Sequence, residues 1–380
     1  MTARVLIIAG SDSGGGAGIQ ADIKTVTMLG GHAMTAIAAI TAQNTLGVQG
    51  VHAVPTDMVL MQIDSVESDI GVDAIKIGMI GSAETAAAVA ERLARPDLSG
   101  APVVFDPVMV STSGSVLADA ATIRAFEALL ARAALVTPNL GELSALGGEE
   151  AILAYGCALL VKGGHGEGEM VTDRLLEAGA GEVARWEAPR IDTPYTHGTG
   201  CTLASAIATG LAQGMPVEPA TARARDFVRL SLLDAPGLGE GHGPMGQQAV
   251  RNDGLFTGPA LNQVTLPAAD YGASVAFYKQ MGLTQIVDSP ENGYARFEAA
   301  NGVTLSVHVG GGGAGGATIY LESGALDAWV AYLARRGVRF DTMPKDEPRG
   351  WREARLTDPA GNRLCLYQAG EYRRYPPWRI

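Results

Sequence analysis

The first 250 residues alternate short apolar runs with longer stretches of helical spacing. RVLIIAG (4–10), AIKIGMIG (74–81), VVFDPVM (103–109), ALVTPN (134–139) and ALLVKGG (158–164) read as strands. GIQADIKTVTMLG, SAETAAAVAERLA and DAATIRAFEALLARA read as helices between them. Near-continuous apolar strands separated by helices predict an α/β fold, a mainly parallel sheet covered on both faces. Ligands of such sheets sit beyond the carboxyl ends of the strands. The polar residues of these runs fall there: Asp12, Lys76, Asp106, Asn139 and Lys162.

The pattern changes near residue 258, after the aperiodic Gly/Pro-rich stretches 234–248 and 252–263. We therefore place domains at 1–258 and 259–380. The second holds strand LNQVTLP, helix DYGASVAFYKQMG and strands QIVDS, YARFEA and VTLSVHV, then a flexible run GGGGAGG. The order recurs in ATIYLES, ALDAWVAYLARRG, VRFDTMP and the paired strands of WREARLTDPAGNRLCLYQ. This predicts an α+β domain of two β-α-β-β-β repeats of about 50 residues each. Its aromatics Tyr271, Phe277, Tyr278, Trp329 and Tyr332 have helix-face spacing and read as core. The tail EYRRYPPWRI is basic and aromatic, suited to covering an edge or reaching a partner chain.

Charge narrows the partners. Residues 260–380 hold 13 Lys/Arg against 12 Asp/Glu, leaving 15 against 28, a charge of −13, for 1–259. So acidic a first domain argues against nucleic acid, and phosphates would need local devices. No apolar run reaches the length of about 18 residues that spans a membrane. The opening MTARVLIIAGSDSGGG runs straight into a glycine loop rather than a secretory cleavage site. Cys157, Cys201 and Cys365 form no zinc or disulfide spacing, which points to a reducing cytoplasm.

Candidate chemistry lies in the loops. AGSDSGGGAGIQAD (9–22) is a strand–loop–helix without the Lys-Ser/Thr ending of a P-loop. It is either a tight turn alone or a close backbone approach to a ligand. Lys162 in VKGGH is either a solvated lysine or a point charge on phosphate oxygens. In TPNLGE, Asn139 and Glu142 have the spacing of a helix cap, and both can also face a ligand. Asp106 ends an apolar strand and, if buried, needs a cation or donors; Mg²⁺ with phosphates is one candidate. THGTGCTLASAIATGL (196–211) starts a helix at a Gly-Thr-Gly turn, an anion site by its amides and dipole. The helix start predicts a lowered thiol pKa for Cys201.

IAGSDSGGGAGIQADIKT, AQNTLGVQ, KIGM, DPVM, TPNLGE, VKGGH and THGTGCTLASAIA occur in that order, closed by EGHGPMG. The set resembles the hydroxymethylpyrimidine (phosphate) kinases of thiamin biosynthesis, in the ribokinase-like superfamily. That resemblance implies ATP-dependent phosphorylation of 4-amino-5-hydroxymethyl-2-methylpyrimidine, and of its monophosphate, in a cytoplasmic homodimer without nucleic-acid or membrane partners. It implies that Gln43 binds the pyrimidine, that Met79 and Val108 line its ring, and that Gly10 and Ala17 wall it in. It further implies Lys162, Asn139 and Thr199 for ATP, and Asp106 and Glu142 for Mg²⁺ through water. Gly198, Gly200 and Cys201 would hold the transferred phosphate and serve catalysis, with Cys201 as a modest base or a positioning group. His165, His197 and His242 receive only loop-shaping roles. Pro194-Tyr195 depart from the family's commoner Lys-Asn, a change expected to reshape the nucleotide side. Pyridoxal or pyridoxine kinase, and a ligand sensor with a degenerate kinase half, are the alternatives.

The second domain resembles the glyoxalase/bleomycin-resistance superfamily, whose metal-dependent members supply four His, Gln or Glu ligands. Here those positions fall at Gln263, Ser306, near Thr318, and Cys365, with His308 on the face of Ser306. Such a set is too poor for a stable divalent site, so a metal-free binding or structural module is expected.

Overall fold

The computed structural model describes residues 2–110, 114, 117–164, 168–250, 260–268, 270–280, 283–298, 302–309, 318–335, 337–348, 350–357, 363–373 and 376. They form two units, residues 1–250 and 251–380. The expected boundary near 258, the 310–316 joint, His165 and most of the basic tail lie outside the described residues.

In the first unit the strands are β1 (Arg4–Ala9), β2 (His32–Ile37), β3 (Ala39–Asn44), β4 (Gly47–Ala53), β5 (Ala74–Ile77), β6 (Val103–Phe105), β7 (Leu135–Val136), β8 (Ala158–Val161), β9 (Met170–Glu177) and β10 (Gly181–Pro189). The helices are α1 (Gly18–Met28), α2 (Thr56–Asp69), α3 (Ala83–Leu93), α4 (Ala120–Leu130), α5 (Leu140–Ala145), α6 (Glu149–Leu153), α7 (Thr199–Ala212) and α8 (Val217–Leu233). Eight strands make one sheet in the order β10-β9-β8-β7-β6-β5-β1-β2. Six neighbours from β2 to β8 run parallel; β9 and β10 add an antiparallel edge. β3 and β4 form a separate hairpin. Val5 to Ile8 are fully buried, as a strand covered on both faces requires.

Helix α7 is packed almost all round, which its small residues permit. A Cβ on Gly210 would stand 2.7 Å from the Ala220 Cβ of α8. Bulk at that position would force the two helices apart.

In the second unit β11 (Ala260–Ala268), α9 (Tyr271–Gln280), β12 (Thr284–Ser289), β13 (Tyr294–Glu298) and β14 (Thr304–Val309) are followed by β15 (Thr318–Glu322), α10 (Leu326–Arg335), β16 (Thr342–Asp346), β17 (Arg352–Thr357) and β18 (Arg363–Gln368). This is the expected repeat. Its eight strands join in one sheet, β12-β13-β14-β11-β15-β18-β17-β16, with β11 and β15 antiparallel at the centre. Tyr271 and Tyr278 pack against Phe297, and Trp329 against Leu326 and Val330. Tyr332 departs from the core reading: it is 47% exposed. The side chain of Phe277 lies outside the described residues.

Candidate active site

The carboxyl ends of β1, β5, β6, β7 and β8 open into one cavity of about 580 Å³. The loop after β1 brings Gly10 and Ala17 to its wall, and hairpin β3–β4 brings Gln43. Met79 and Val108 follow β5 and β6. Asp106, Asn139, Glu142 and Lys162 line it further along the sheet, and Gly198, Thr199, Gly200 and Cys201 enter from the start of α7. Residues spread over 190 positions thus meet in one space because every one ends a strand or starts a helix.

At one end, Asp12 organises the glycine loop. It is buried, and its carboxylate accepts from the amides of Gly14, Gly16 and Ala17 at 2.8, 2.9 and 2.7 Å and from His197 Nε2 at 2.9 Å. Burial pushes its pKa up, but His197 and the amides outweigh that and hold it below the usual range. The same His197 nitrogen lies 3.1 Å from the Gln43 amide. A carboxylate needs a donor, so hydrogen-bond accounting assigns the proton to Nε2. The amide atom facing the ring is then the Gln43 oxygen. Its NH₂ turns to Thr41 Oγ1, which donates its own proton to Ser11 O at 2.8 Å. His197 therefore ties the Gln43 amide to the Asp12 loop. Its position beside the glycine turn in THGTG was the available signal. His242, by contrast, is exposed.

At the other end, Lys162 Nζ lies 3.0 Å from Asp106 Oδ1, which also accepts from Thr137 Oγ1 at 3.1 Å. Burial disfavours the ammonium, yet Asp106 and Glu142 together raise the Lys162 pKa. A Cβ on Gly200 would stand 3.3 Å from Asp106 Oδ2 and 3.4 Å from Lys162 Nζ, so its bareness keeps space beside both. Asn139 and Glu142 form a complete capping box on α5, with Glu142 N donating to Asn139 Oδ1 at 2.9 Å and Asn139 N to Glu142 Oε2 at 2.8 Å. Burial, then the nearby Asp106, push the Glu142 carboxyl up to about 7.

One expectation is corrected here. Cys201 has a raised thiol pKa, about 11, not a lowered one. Burial dominates; Lys76 favours the thiolate, but Asp22 and Asp106 oppose it, and together these outweigh the helix start. Tyr195 packs its ring against the 237–243 loop, where a Cβ on Gly243 would meet Tyr195 Cδ1 at 2.4 Å.

Lys76, which the sequence placed at a strand end without a partner, also lines the cavity. Lys76 lies within β5 rather than past its end, fully buried, 2.9 Å from Asp22 Oδ2 of α1, while Ser205 of α7 donates to Asp22 Oδ1 at 2.7 Å. Burial opposes its charge, but Asp22, Cys201 and Asp106 raise the Lys76 pKa. Ile191, Val228 and Leu232, none of which carried a motif, also line the cavity, interleaved with Arg190, Arg225 and Arg229. Among the described residues, no three His, Cys, Asp or Glu side chains form a metal cage, and no helix is long and apolar enough to cross a membrane.

Residues 260–366 match the glyoxalase/bleomycin resistance protein/dioxygenase superfamily, and residues 12–246 match the phosphomethylpyrimidine kinase family. The hydroxymethylpyrimidine/phosphomethylpyrimidine kinase of Rhizobium meliloti is 45% identical over 262 residues, 64% of this chain and 97% of that one. The thiamine biosynthesis bifunctional protein ThiED of Geobacter sulfurreducens is 46% identical over 255 residues, 63% of this chain; the match spans about half (51%) of that protein. Among solved structures, the ADP complex of Bacillus subtilis pyridoxal kinase superposes with a TM-score of 0.59 at 32% identity, covering 65% of this chain and 98% of that one. By its residues 12–246, more than half its length, the chain belongs to the phosphomethylpyrimidine kinase family.

Proposed function

We infer that the first unit transfers the γ-phosphoryl group of ATP to the hydroxymethyl oxygen of 4-amino-5-hydroxymethyl-2-methylpyrimidine, and then phosphorylates the monophosphate, as a step of thiamin biosynthesis. The observation that carries this is the one cavity lined by the Gln43–His197 pair, by the 198–201 turn and by Asp106, Glu142 and Lys162.

Gln43 pairs with the edge of the pyrimidine, a donor and acceptor in one group. Met79 and Val108 take its ring, and the apolar side chains of Ile191, Val228 and Leu232 take the nucleotide base. Lys162 and the amides starting α7 face the γ-phosphate, where charge spreads during transfer. Asp106 and Glu142 fit Mg²⁺ held through water: both are buried, and Asp106 raises the cost of charge on Glu142, which a divalent cation relieves. Bound there with ATP, the ion supplies neutralisation of phosphate charge. The Cys201 thiol is neutral at rest, so it positions the substrate hydroxyl. The oxygen–phosphorus bond forms as the bond to ADP breaks, and the hydroxyl proton passes late to the transferred phosphate.

The protein is further read as a homodimer. Hairpin β3–β4 exposes Ile40, Leu46 and Val51 by 54, 67 and 52%, an apolar surface that a second copy would cover. Three free cysteines suit a reducing cytoplasm.

The test is an ATP-consumption assay with the pyrimidine alcohol and pyridoxal side by side, with products identified by mass. Mono- and diphosphorylated pyrimidine are expected. Preferential turnover of pyridoxal would favour the alternative suggested by the pyridoxal kinase neighbour, and no turnover of either would sink the kinase reading.

A further inference from the structure

We propose that the cavity of the second unit binds a small planar organic anion, whose charge is held by Arg296. This does not rest on the kinase reading. The cavity has a volume of about 760 Å³, the size of a small-molecule site.

Arg296 of β13 lines it and is only 3% exposed. Its Nε donates to Tyr294 Oη at 3.0 Å and its Nη1 to the backbone oxygen of Arg373 at 3.4 Å. Among the described residues no carboxylate pairs with it. A guanidinium has five N–H donors, and two acceptors leave most of them unused. A buried charge without a counter-charge is costly, and an anion would offset that cost.

Strand register extends the site. Arg296 stands opposite Ser306 of β14, Ser306 opposite Thr265 of β11, and Thr265 opposite Thr318 of β15. One row therefore crosses four strands on one face. Ser306 Oγ is engaged, 3.0 Å from Gln263 Nε2 and 2.9 Å from Tyr294 Oη. Thr265 Oγ1 is buried without a hydrogen-bond partner and lines the cavity. At about 4.8 Å per strand, Arg296 and Thr265 are about 10 Å apart, the span of a one- or two-ring molecule with an anionic group at one end. The walls favour a planar body: the Arg296 guanidinium lies 4.7 Å over the Trp351 ring, with Tyr294 and Tyr320 beside the cavity.

The remaining charges are engaged or peripheral. Arg355 pairs with Glu353 at 2.8 Å, Asp288 accepts the Tyr271 hydroxyl, and Glu291 accepts Ser289 Oγ at 2.6 Å. Arg363 and His308 add positive or neutral donors at the rim. A divalent metal finds no such welcome, since the Gln263 amide is spent on Ser306 and Cys365 is buried against Glu353.

The full chain, with its first cavity filled by a non-hydrolysable ATP analogue and the pyrimidine alcohol, is titrated by calorimetry. The probes are benzoate, naphthalene-1-sulfonate and the neutral benzamide. One site per chain is expected for the anions, with benzamide at least tenfold weaker. Arg296→Met should weaken the anions at least tenfold without changing phosphorylation, and the nearly isosteric Thr265→Val several-fold. Should Arg296→Met fail to fold, Thr265→Val and the benzoate–benzamide comparison decide. No saturable anion binding, equal binding of benzamide, or full affinity in both variants overturns the proposal.

Discussion

Glu142 makes a pH prediction. Its carboxyl titrates near 7 in the folded chain, above its ordinary 4.5, because of burial and Asp106. Between those values the folded chain holds a proton that the unfolded chain has lost, so this group makes stability fall as pH rises through that window. Function should run the other way. Mg²⁺ affinity in the presence of ATP is expected to rise about tenfold per pH unit below 7 and level off above it; Glu142→Gln should remove both trends. Mg²⁺ titrations at pH 6 and 8, beside denaturant melts, read the two. Cys201 makes a second. With its thiol near 11, iodoacetamide should modify it more slowly than a free thiol at neutral pH, and faster as pH climbs. Cys201→Ser should cost less than the roughly 10²–10⁴-fold of a lost general base. Rapid, pH-independent alkylation, or a thousandfold loss in the serine variant, would restore the thiolate-base reading. Gln43→Ala should weaken pyrimidine binding by about 1–3 kcal/mol, and His197→Ala by a comparable amount if the ring orients the amide; an unchanged Kd in both would remove the pair from the substrate end.

At the scale of elements, the start of α7 is the sensitive joint. Gly198 has φ +87°, and a Cβ there would lie 2.0 Å from Gly16 O. Gly198→Ala is thus strained twice, by conformation and by the neighbouring loop. It should lower Tm and abolish phosphorylation together, whereas Gly210→Ala, which meets Ala220 and the Arg223 guanidinium of α8, should lower Tm while sparing catalysis. This joint also shows what could be read beforehand. The strands ending at Ala9, Phe105 and Val161 were legible because apolar runs stop at polar residues, and that placed Asp106 and Lys162. The Asn139–Glu142 box was legible from spacing alone. The antiparallel edge β9–β10 was not, since MVTDRLLE and GEVARWEAP mix charges into their alternation. Nor was the partner of Lys76: Asp22 comes from α1 and the Ser205 that bonds it from α7, and only packing brings Asp22 to the ammonium. The Cys201 thiol failed for the same reason. A local rule, the helix start, was outweighed by burial first and then by Asp22 and Asp106, which no local pattern could place beside it.

For the whole molecule, the first unit contains every residue of its cavity. Residues 1–258 alone are therefore expected to fold and phosphorylate the pyrimidine at the full-length rate. Insoluble or inactive truncated protein, rescued by adding the missing part, would mean that the two parts share a core or a site. The repeat in the second unit was legible as a repeat; its aromatic cluster of Trp351, Tyr367 and Tyr320 was not, because these residues fall singly, on β15, on β18 and just before β17.

The contact between Gly198 and Gly16 also bears on birth order. Asp12 and His197, 185 residues apart, meet at the wall of the cavity. A chain leaving the ribosome exposes its N-terminal segments first, at about 5–20 residues per second. The glycine loop after β1 then waits roughly 10–40 s for α7, with the fully buried strand β1 already made. Nascent chains stalled before residue 196 should not retain the pyrimidine, while those stalled with 250 residues outside the exit tunnel should.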